Sequence, residues 1–259
     1  MRIKFFGVGS AEPSPLEHNL SLLLESENTP LLVDCGGSPA HSILAASLNL
    51  NDFTDIFLTH SHTDHIYGLP SLVHSKWMSE GRRSGKKLRL FGSSETLSFA
   101  RQLLRVFRFD SKRHAVEIEY VAVRDGDEIR ASISKHGVML RSVPVQHGDA
   151  RTNGIAIECG HDTKVFFSSD TVIFNGLDRY VNQECAVWIM DAGGGWESNA
   201  GHAGLNDVFE YADRREFRGT LYLVHLPPTR ERFLQEVLAK SLDKRYKVVL
   251  PADGDEIEI

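Results

Sequence analysis

Apolar and polar positions change period several times along the chain, and each change marks an element. Short runs crowded with apolar and β-branched residues between turn residues predict strands at RIKFF (2–6), LSLLLE (20–25) and PLLVD (30–34). The period lengthens to that of a helix over PAHSILAASL (39–48), returns to a strand at DIFLT (55–59), and allows a helix just after residue 65. Strand KLRLF (87–91) and helix ETLSFARQLLRVF (95–107) close a first half. A second half begins the same way, with strands predicted at 115–123, 127–133, 137–143, 154–159 and 163–168, each rich in Val, Ile or Phe and bounded by Gly, Asp or Asn. Strand 186–191, a helix from 206 with Asn206 as N-cap, strand 220–225 and helix 229–240 follow.

Strands followed by alternation, twice over, imply an α/β, four-layer αββα sandwich: two mixed β-sheets flanked by helices, with any site along their shared edge. No linker, internal repeat or low-complexity tract interrupts the pattern, so residues 1–259 are expected to form a single domain.

Composition narrows the function. With 41% hydrophobic residues the chain can enclose a large core, yet no run approaches the roughly 18 apolar residues of a membrane span. The start, MRIKFFGVGS, lacks the apolar region of a signal peptide, which predicts a cytoplasmic protein without a membrane partner. A net charge of -6 argues against broad nucleic-acid binding, and DNA is not an expected partner. Cys35, Cys159 and Cys185 lie far apart with no CxxC pairing, which reads as buried thiols rather than disulfides or a thiolate cluster. SEGRRSGKKLR (79–89) reads as a solvated connection, and DGD (125–127) and DGDE (253–256) as tight turns. GVGSAE lacks the ending of a phosphate loop, and there is no GxSxG for a serine nucleophile.

One stretch departs from ordinary surface chemistry. LTHSHTDH (58–65) gathers His60, His62, Asp64 and His65 immediately after a predicted strand. Imidazole and carboxylate without thiolate suit borderline divalent ions such as zinc. His60 and His62, two apart in extended chain, can turn toward one ion, while Asp64 and His65, entering a helix, point elsewhere and serve a neighbouring one. The alternative, histidines that are merely loop surface or helix caps, accounts poorly for four such groups together.

HSHTDH resembles the HxHxDH motif of metallo-β-lactamase-fold hydrolases, and the resemblance continues along nearly the whole chain. LLVDCGG, with Asp34, is similar to the family's first motif, in which a buried aspartate supports the metal loop. VPVQHGD, FFSSDT and LYLVHLPP match the later motifs and supply His147, Asp170 and His225. The resemblance implies two divalent ions, Zn2+ first with Mn2+ or Fe2+ as alternatives: His60, His62 and His147 on one, Asp64, His65 and His225 on the other, Asp170 on both. GHAG, with His202, is similar to a segment of the ribonuclease Z and cyclic-phosphate phosphodiesterase branch, where the matching histidine is catalytic and binds no metal. It implies His202 as the acid that protonates the leaving alkoxide; Asp64, lying between the ion-binding histidines with one oxygen free, is the candidate that orients the nucleophile. Asp191, in WIMDAGG, stands where ribonuclease Z carries Glu and would orient His202.

The implied reaction is attack of a metal-bridged hydroxide on a phosphodiester in a small nucleotide, a cyclic phosphate or RNA. The resemblance also implies a homodimer. A tRNA 3'-processing endoribonuclease is an alternative, but ribonuclease Z grips tRNA with a long arm inserted where this chain has only residues 148–169, most of them predicted strand. The phosphonate-pathway enzymes carry a cysteine-rich zinc site near the N-terminus, and GVGSAEPSPLEHN contains no cysteine. Glyoxalase-type thioester hydrolases share HxHxDH and remain a second alternative. Di-iron reductases place Glu where His62 stands, and a non-enzymatic scaffold would have lost ligands that are all present here. Substrate contacts are not readable from sequence, beyond Arg230 after HLPPT as a possible phosphate contact.

Overall fold

The computed structural model describes residues 1–12, 14–79, 87–109, 116–159, 163–228 and 230–259. Among them, β1 (Arg2–Gly7), β2 (Ser21–Ser26), β3 (Thr29–Val33), β4 (Asp55–Phe57), β5 (Lys87–Gly92), β6 (Glu117–Ala122) and β13 (Glu256–Glu258) form one seven-stranded sheet in the order β13-β1-β2-β3-β4-β5-β6. The second sheet is six-stranded, from β7 (Val138–His147), β8 (Ala150–Cys159), β9 (Thr163–Phe167), β10 (Cys185–Asp191), β11 (Thr220–Val224) and β12 (Lys247–Val249), in the order β12-β11-β10-β9-β8-β7. Each sheet is antiparallel where hairpins join its strands and parallel where helices cross over, which makes both mixed.

The hairpins have local causes. Glu27 and Asn28 both take left-handed backbone (φ 47° and 60°), the geometry that turns β2 directly into β3. Gly148 (φ 56°) turns β7 into β8, which pair without interruption from Val138 opposite Cys159 to His147 opposite Ala150. His147 therefore stands at the tip of a fully paired ladder.

Three apolar clusters make the layers. Ile3, Phe5, Leu24 and Phe57 of the first sheet meet Ile155, Val165 and Ile189 of the second. Leu32, Ile56 and Leu90, on the outer face of the first sheet, pack with residues of α1 (Pro39–Ala45), α3 (Leu69–Ser79) and α4 (Ser94–Val106). Trp188, Leu221 and Leu223 pack with α5 (Leu205–Arg214), whose Leu205, Val208, Phe209 and Ala212 face inward while Asn206, Asp207 and Glu210 face out. α6 (Arg230–Ser241) contributes Val237 to the same cluster. This is the four-layer arrangement expected from the pattern of elements.

Several local expectations are corrected. Residues 127–133 are not a strand: Glu128 makes one isolated bridge to Arg141, and a 3-10 turn spans Ser132–His136. Ile129, Ala131 and Ile133 are buried with strand-like alternation, but backbone bonds to β7 stop at Ile129, whose N–H goes to Leu140 O at 2.8 Å, and Asp55 accepts from the Ser132 backbone N–H where the 3-10 turn begins. The helix in the histidine stretch begins inside it, as α2 (Thr63–Ile66), and a separate α3 follows. α5 starts at Leu205 with Gly204 at its N-cap, and Asn206 sits in the first turn with its amide donating to Glu197 Oε1 at 2.7 Å. The edge strands β12 and β13 carry three residues each, too few to show a period. Of the polar stretch 79–89, residues 80–86 lie outside the described residues. Cys35 and Cys185 are buried free thiols; the Cys159 side chain is outside the described ones. No helix among the described residues is long and apolar enough to cross a membrane.

Candidate metal centre

β3 and β4 run parallel and end side by side, and the chain leaving each is bent into the site. Asp34, just past β3, takes left-handed backbone (φ 62°) and donates its N–H to Phe57 O at 2.8 Å. Its fully buried carboxylate then organises the next loop. Oδ1 accepts from Thr59 N, and Oδ2 accepts from both Thr59 Oγ1 and His65 Nδ1, each at 2.8 Å. Because the Thr59 hydroxyl proton goes to Asp34, its oxygen is left to accept from His60 Nδ1, 3.0 Å away. One carboxylate thus sets the tautomer of His65 directly and of His60 through Thr59, leaving Nε2 of both rings as a lone-pair donor.

The remaining groups arrive from the second sheet. His147 ends β7 and donates from Nδ1 to Gly201 O at 2.7 Å, which again frees Nε2. Asp170 follows β9 after Ser169, a left-handed residue (φ 54°), and His225 follows β11 with φ 60° and its N–H on Val8 O at 2.7 Å. Left-handed backbone at non-glycine residues costs of order 1–3 kcal/mol each and persists where the surroundings hold it in place.

Asp170 Oδ2 is the hub. Nε2 of His65, His225, His147 and His60 lie 3.3, 3.5, 3.7 and 3.8 Å from it. Two donor sets share that oxygen's residue: His60, His62, His147 and Asp170, and Asp64, His65, His225 and Asp170, the donor atoms within each lying within 4.8 Å of one another. His147 Nε2 is 2.9 Å from His62 Nδ1, and Asp64 Oδ2 is 3.2 Å from His225 Nε2 and 3.3 Å from His65 Nε2. His60 Nε2, His65 Nε2 and Asp170 Oδ1 are buried with no hydrogen-bond partner. Lone pairs buried, unpartnered and facing one another are costly unless a cation lies between them, so the donor sets fit a pair of divalent ions.

The electrostatics agree. Burial holds His60 well below its ordinary pKa, with His65 adding to the effect, which keeps its lone pair available. Burial also lowers His65 and His225, but the carboxylates around them win: Asp170 and Asp34 raise His65 well above the usual value, and Asp170 with Asp191 and Asp64 pushes His225 up to about 10. Burial raises the Asp170 carboxyl, yet the charges of His225 and His65 hold it well below the usual range. Asp64 is likewise lowered, burial being outweighed by its bonds to His225 and His65. A divalent cation would supply the positive charge that these carboxylates otherwise draw from imidazolium protons.

Beside the second donor set, His202 Nδ1 lies 3.0 Å from Asp191 Oδ2, and His225 Nδ1 lies 3.5 Å from Asp191 Oδ1. The shorter carboxylate reaches, because Asp191 ends β10 on the second sheet and is clamped by Thr171 N (2.9 Å), Gly193 N (2.7 Å) and Ser168 Oγ on its own N–H (3.0 Å). The His202 ring stacks on His225 at 5.0 Å and meets His147 edge-on at 4.7 Å. Burial lowers the His202 pKa, but the bond and charge of Asp191 outweigh it and the net shift is upward. A Cβ on Gly193 would come within 3.0 Å of His225 Nδ1, Asp191 Oδ1 and His202 Nδ1, so only glycine lets these three pack.

The structure brings together His60, His62, Asp64, His65, His147, Asp170, His202 and His225 where the two sheets meet, with Asp34 and Asp191 behind them. Thr59, Ser168, Gly193 and Gly201 were not singled out. Arg230 begins α6, but its side chain lies outside the described ones.

Fold and site together define a metallo-β-lactamase-fold metallohydrolase with a histidine and aspartate metal site. Within that class the chain belongs to the family described as Anti-Pycsar protein Apyc1, whose model matches residues 1–248. It is related to ribonuclease Z: it is 30% identical over 150 residues to that of Leuconostoc mesenteroides, covering 57% of this chain and 45% of that one. Against ribonuclease Z of Halalkalibacterium halodurans it is 38% identical over 110 residues, 41% of this chain and 34% of that one. The chain spans less than half the length of these curated relatives. The fold is shared with the metallo-β-lactamase fold protein YhfI from Bacillus subtilis (TM-score 0.78, 17% identity, 99% and 98% of the two chains). It is also shared with the short form of human tRNase Z (0.72, 19%, 100% and 99%) and a diphosphatase from the PhnP family (0.72, 16%, 100% and 97%).

Proposed function

We propose that the protein is a dinuclear metal-dependent phosphodiesterase that opens the phosphodiester of a cyclic nucleotide. His60, His62 and His147 hold one ion, Asp64, His65 and His225 the other, and Asp170 both. Two such ions, when bound, supply Lewis acidity at phosphorus and activate water near neutral pH. The chain's own groups do the rest. Asp64, whose Oδ2 lies 3.2 Å from His225 Nε2 within the second donor set, orients the nucleophile with its carboxylate. Asp191 holds His202 through Nδ1, which leaves Nε2 to deliver a proton to the departing ribose oxygen, so that an alkoxide leaves as an alcohol.

The observation that carries this reading is the His202–Asp191 pair standing against His147 and His225, because an acid beside two metal donor sets is the arrangement a poor alkoxide leaving group requires. The cyclic nucleotide is favoured over RNA on two grounds. Membership in the Apyc1 family points to cyclic nucleotide degradation. Residues 148–169 are largely occupied by β8 and β9, which leaves no length there for a tRNA-gripping arm.

The test is a parallel hydrolysis panel on metal-loaded protein: 3',5'- and 2',3'-cyclic nucleotides, a tRNA precursor and a thioester. Cyclic nucleotides are expected to turn over fastest. Preferential cleavage of the thioester would overturn the phosphodiesterase reading, and preferential cleavage of the precursor would move the substrate to RNA.

A further inference from the structure

Next to Asp64 opens a cavity of about 380 Å³ that the metal chemistry does not use. One wall is formed by loop residues of Ser10–Glu12 and Ser14–Asn19, and the other by α2 and the residue after it, Thr63, Asp64 and Tyr67. Its size is at the lower end of small-molecule pockets, suited to one ring system with part of a sugar. Tyr67 is a large side chain 49% exposed at this lip, and its hydroxyl makes a long 3.4 Å bond to Asn19 Oδ1.

The ends of that loop are pinned. Gly9 N donates to His18 O at 2.8 Å and Leu20 N to Gly9 O at 2.9 Å, which closes the neck. Asp253 Oδ2 accepts from His18 N and pairs with His18 Nδ1, both at 2.7 Å, and Asn19 Nδ2 donates to Ser10 O at 2.7 Å. Gly9 also bridges Leu226, the residue after His225, so the loop is referenced to both sides of the metal centre.

Charge decides which end of a substrate enters. Glu12 and Glu17 line the cavity beyond the metal donor Asp64, and among the described residues no lysine or arginine does. A phosphate is repelled there and goes to the metal donor sets. An uncharged ring bearing N–H donors is accepted, with the Tyr67 ring as a face to stack on and the glutamates as acceptors.

We propose that this cavity is the base subsite, and that Tyr67 determines affinity for the nucleobase of a cyclic nucleotide whose phosphate lies at Asp64 and Asp170. The proposal rests on the phosphodiesterase reading. Its experiment compares wild type with Tyr67→Ala, Tyr67→Phe and Tyr67→Trp on a 3',5'-cyclic nucleotide and on the corresponding abasic 3',5'-cyclic ribose phosphate. Calorimetric binding of the nucleoside monophosphate product is measured alongside. Tyr67→Ala is expected to raise KM for the cyclic nucleotide by about tenfold, the scale of one base–aromatic stack, with kcat within about twofold. Product binding should weaken in parallel, the abasic substrate should be unaffected, and Phe and Trp should retain wild-type KM. An unchanged KM in Tyr67→Ala, or an equal loss on the abasic substrate, overturns the subsite while leaving the phosphodiesterase reading standing. A wild type that cleaves neither substrate overturns both.

Discussion

Asp34 Oδ2 accepts from His65 and Thr59 at once, and the Thr59 hydroxyl passes that orientation on to His60. Thr59→Val keeps the shape and removes the relay. It is expected to weaken metal binding by about 10–100-fold in a chelator competition, with an unchanged circular dichroism spectrum. The histidines and Asp34 were legible because their motif is written contiguously or resembles a known one. Thr59 was not, because a threonine at the end of an apolar strand signals nothing until folding brings Asp34 against it. His202 sits one step further from the ions. His202→Ala should retain two metals per chain by elemental analysis while kcat falls about 10²–10⁴-fold, most for the poorest leaving groups. Loss of a metal in that variant would remove His202 from the acid role.

Strand ends are what make the site accurate. β3, β7, β9, β10 and β11 each deliver one group within three residues of the last paired position, and Asp34, Ser169 and His225 turn the chain there with left-handed backbone. Such turns favour glycine, yet Asp34 and His225 there hold side chains the chemistry needs. Glycine is kept where neighbours approach instead. Gly193→Ala should displace the His202–Asp191 pair and lower kcat by up to about a hundredfold, whereas Ala at Gly126, left-handed but in open space, should leave kcat unchanged. The long strands were readable because their apolar runs are bounded by turn residues, but β7 and β8 each extend four residues beyond the runs at 137–143 and 154–159 toward their shared turn, through positions that carry no strand signal. Residues 127–133 misled because burial alternates at Ile129, Ala131 and Ile133 although only Asp127 and Ile129 bond to β7, and from Ser132, whose N–H goes to Asp55, the chain turns into a 3-10 segment.

At the scale of the molecule, the first sheet supplies His60, His62, Asp64 and His65, and the second supplies His147, Asp170 and His225, so the donor sets exist only when the two sheets pack. Periodicity and composition reached the four layers, but that the ligands converge came from the resemblance, since nothing in a single later motif says which sheet edge it faces. Ions bound across that junction tie the sheets together. Chelation is expected to lower Tm by about 5–10 °C at metal concentrations near 100 times Kd, measured by calorimetry. The most direct test is metal stoichiometry by elemental analysis of protein purified without chelator. Two first-row divalent ions per chain are expected in the wild type, and about one in His225→Ala with His60, His62 and His147 intact. A wild type that holds no ion, or a His225→Ala variant that keeps both, rules out the two donor sets as a dinuclear centre.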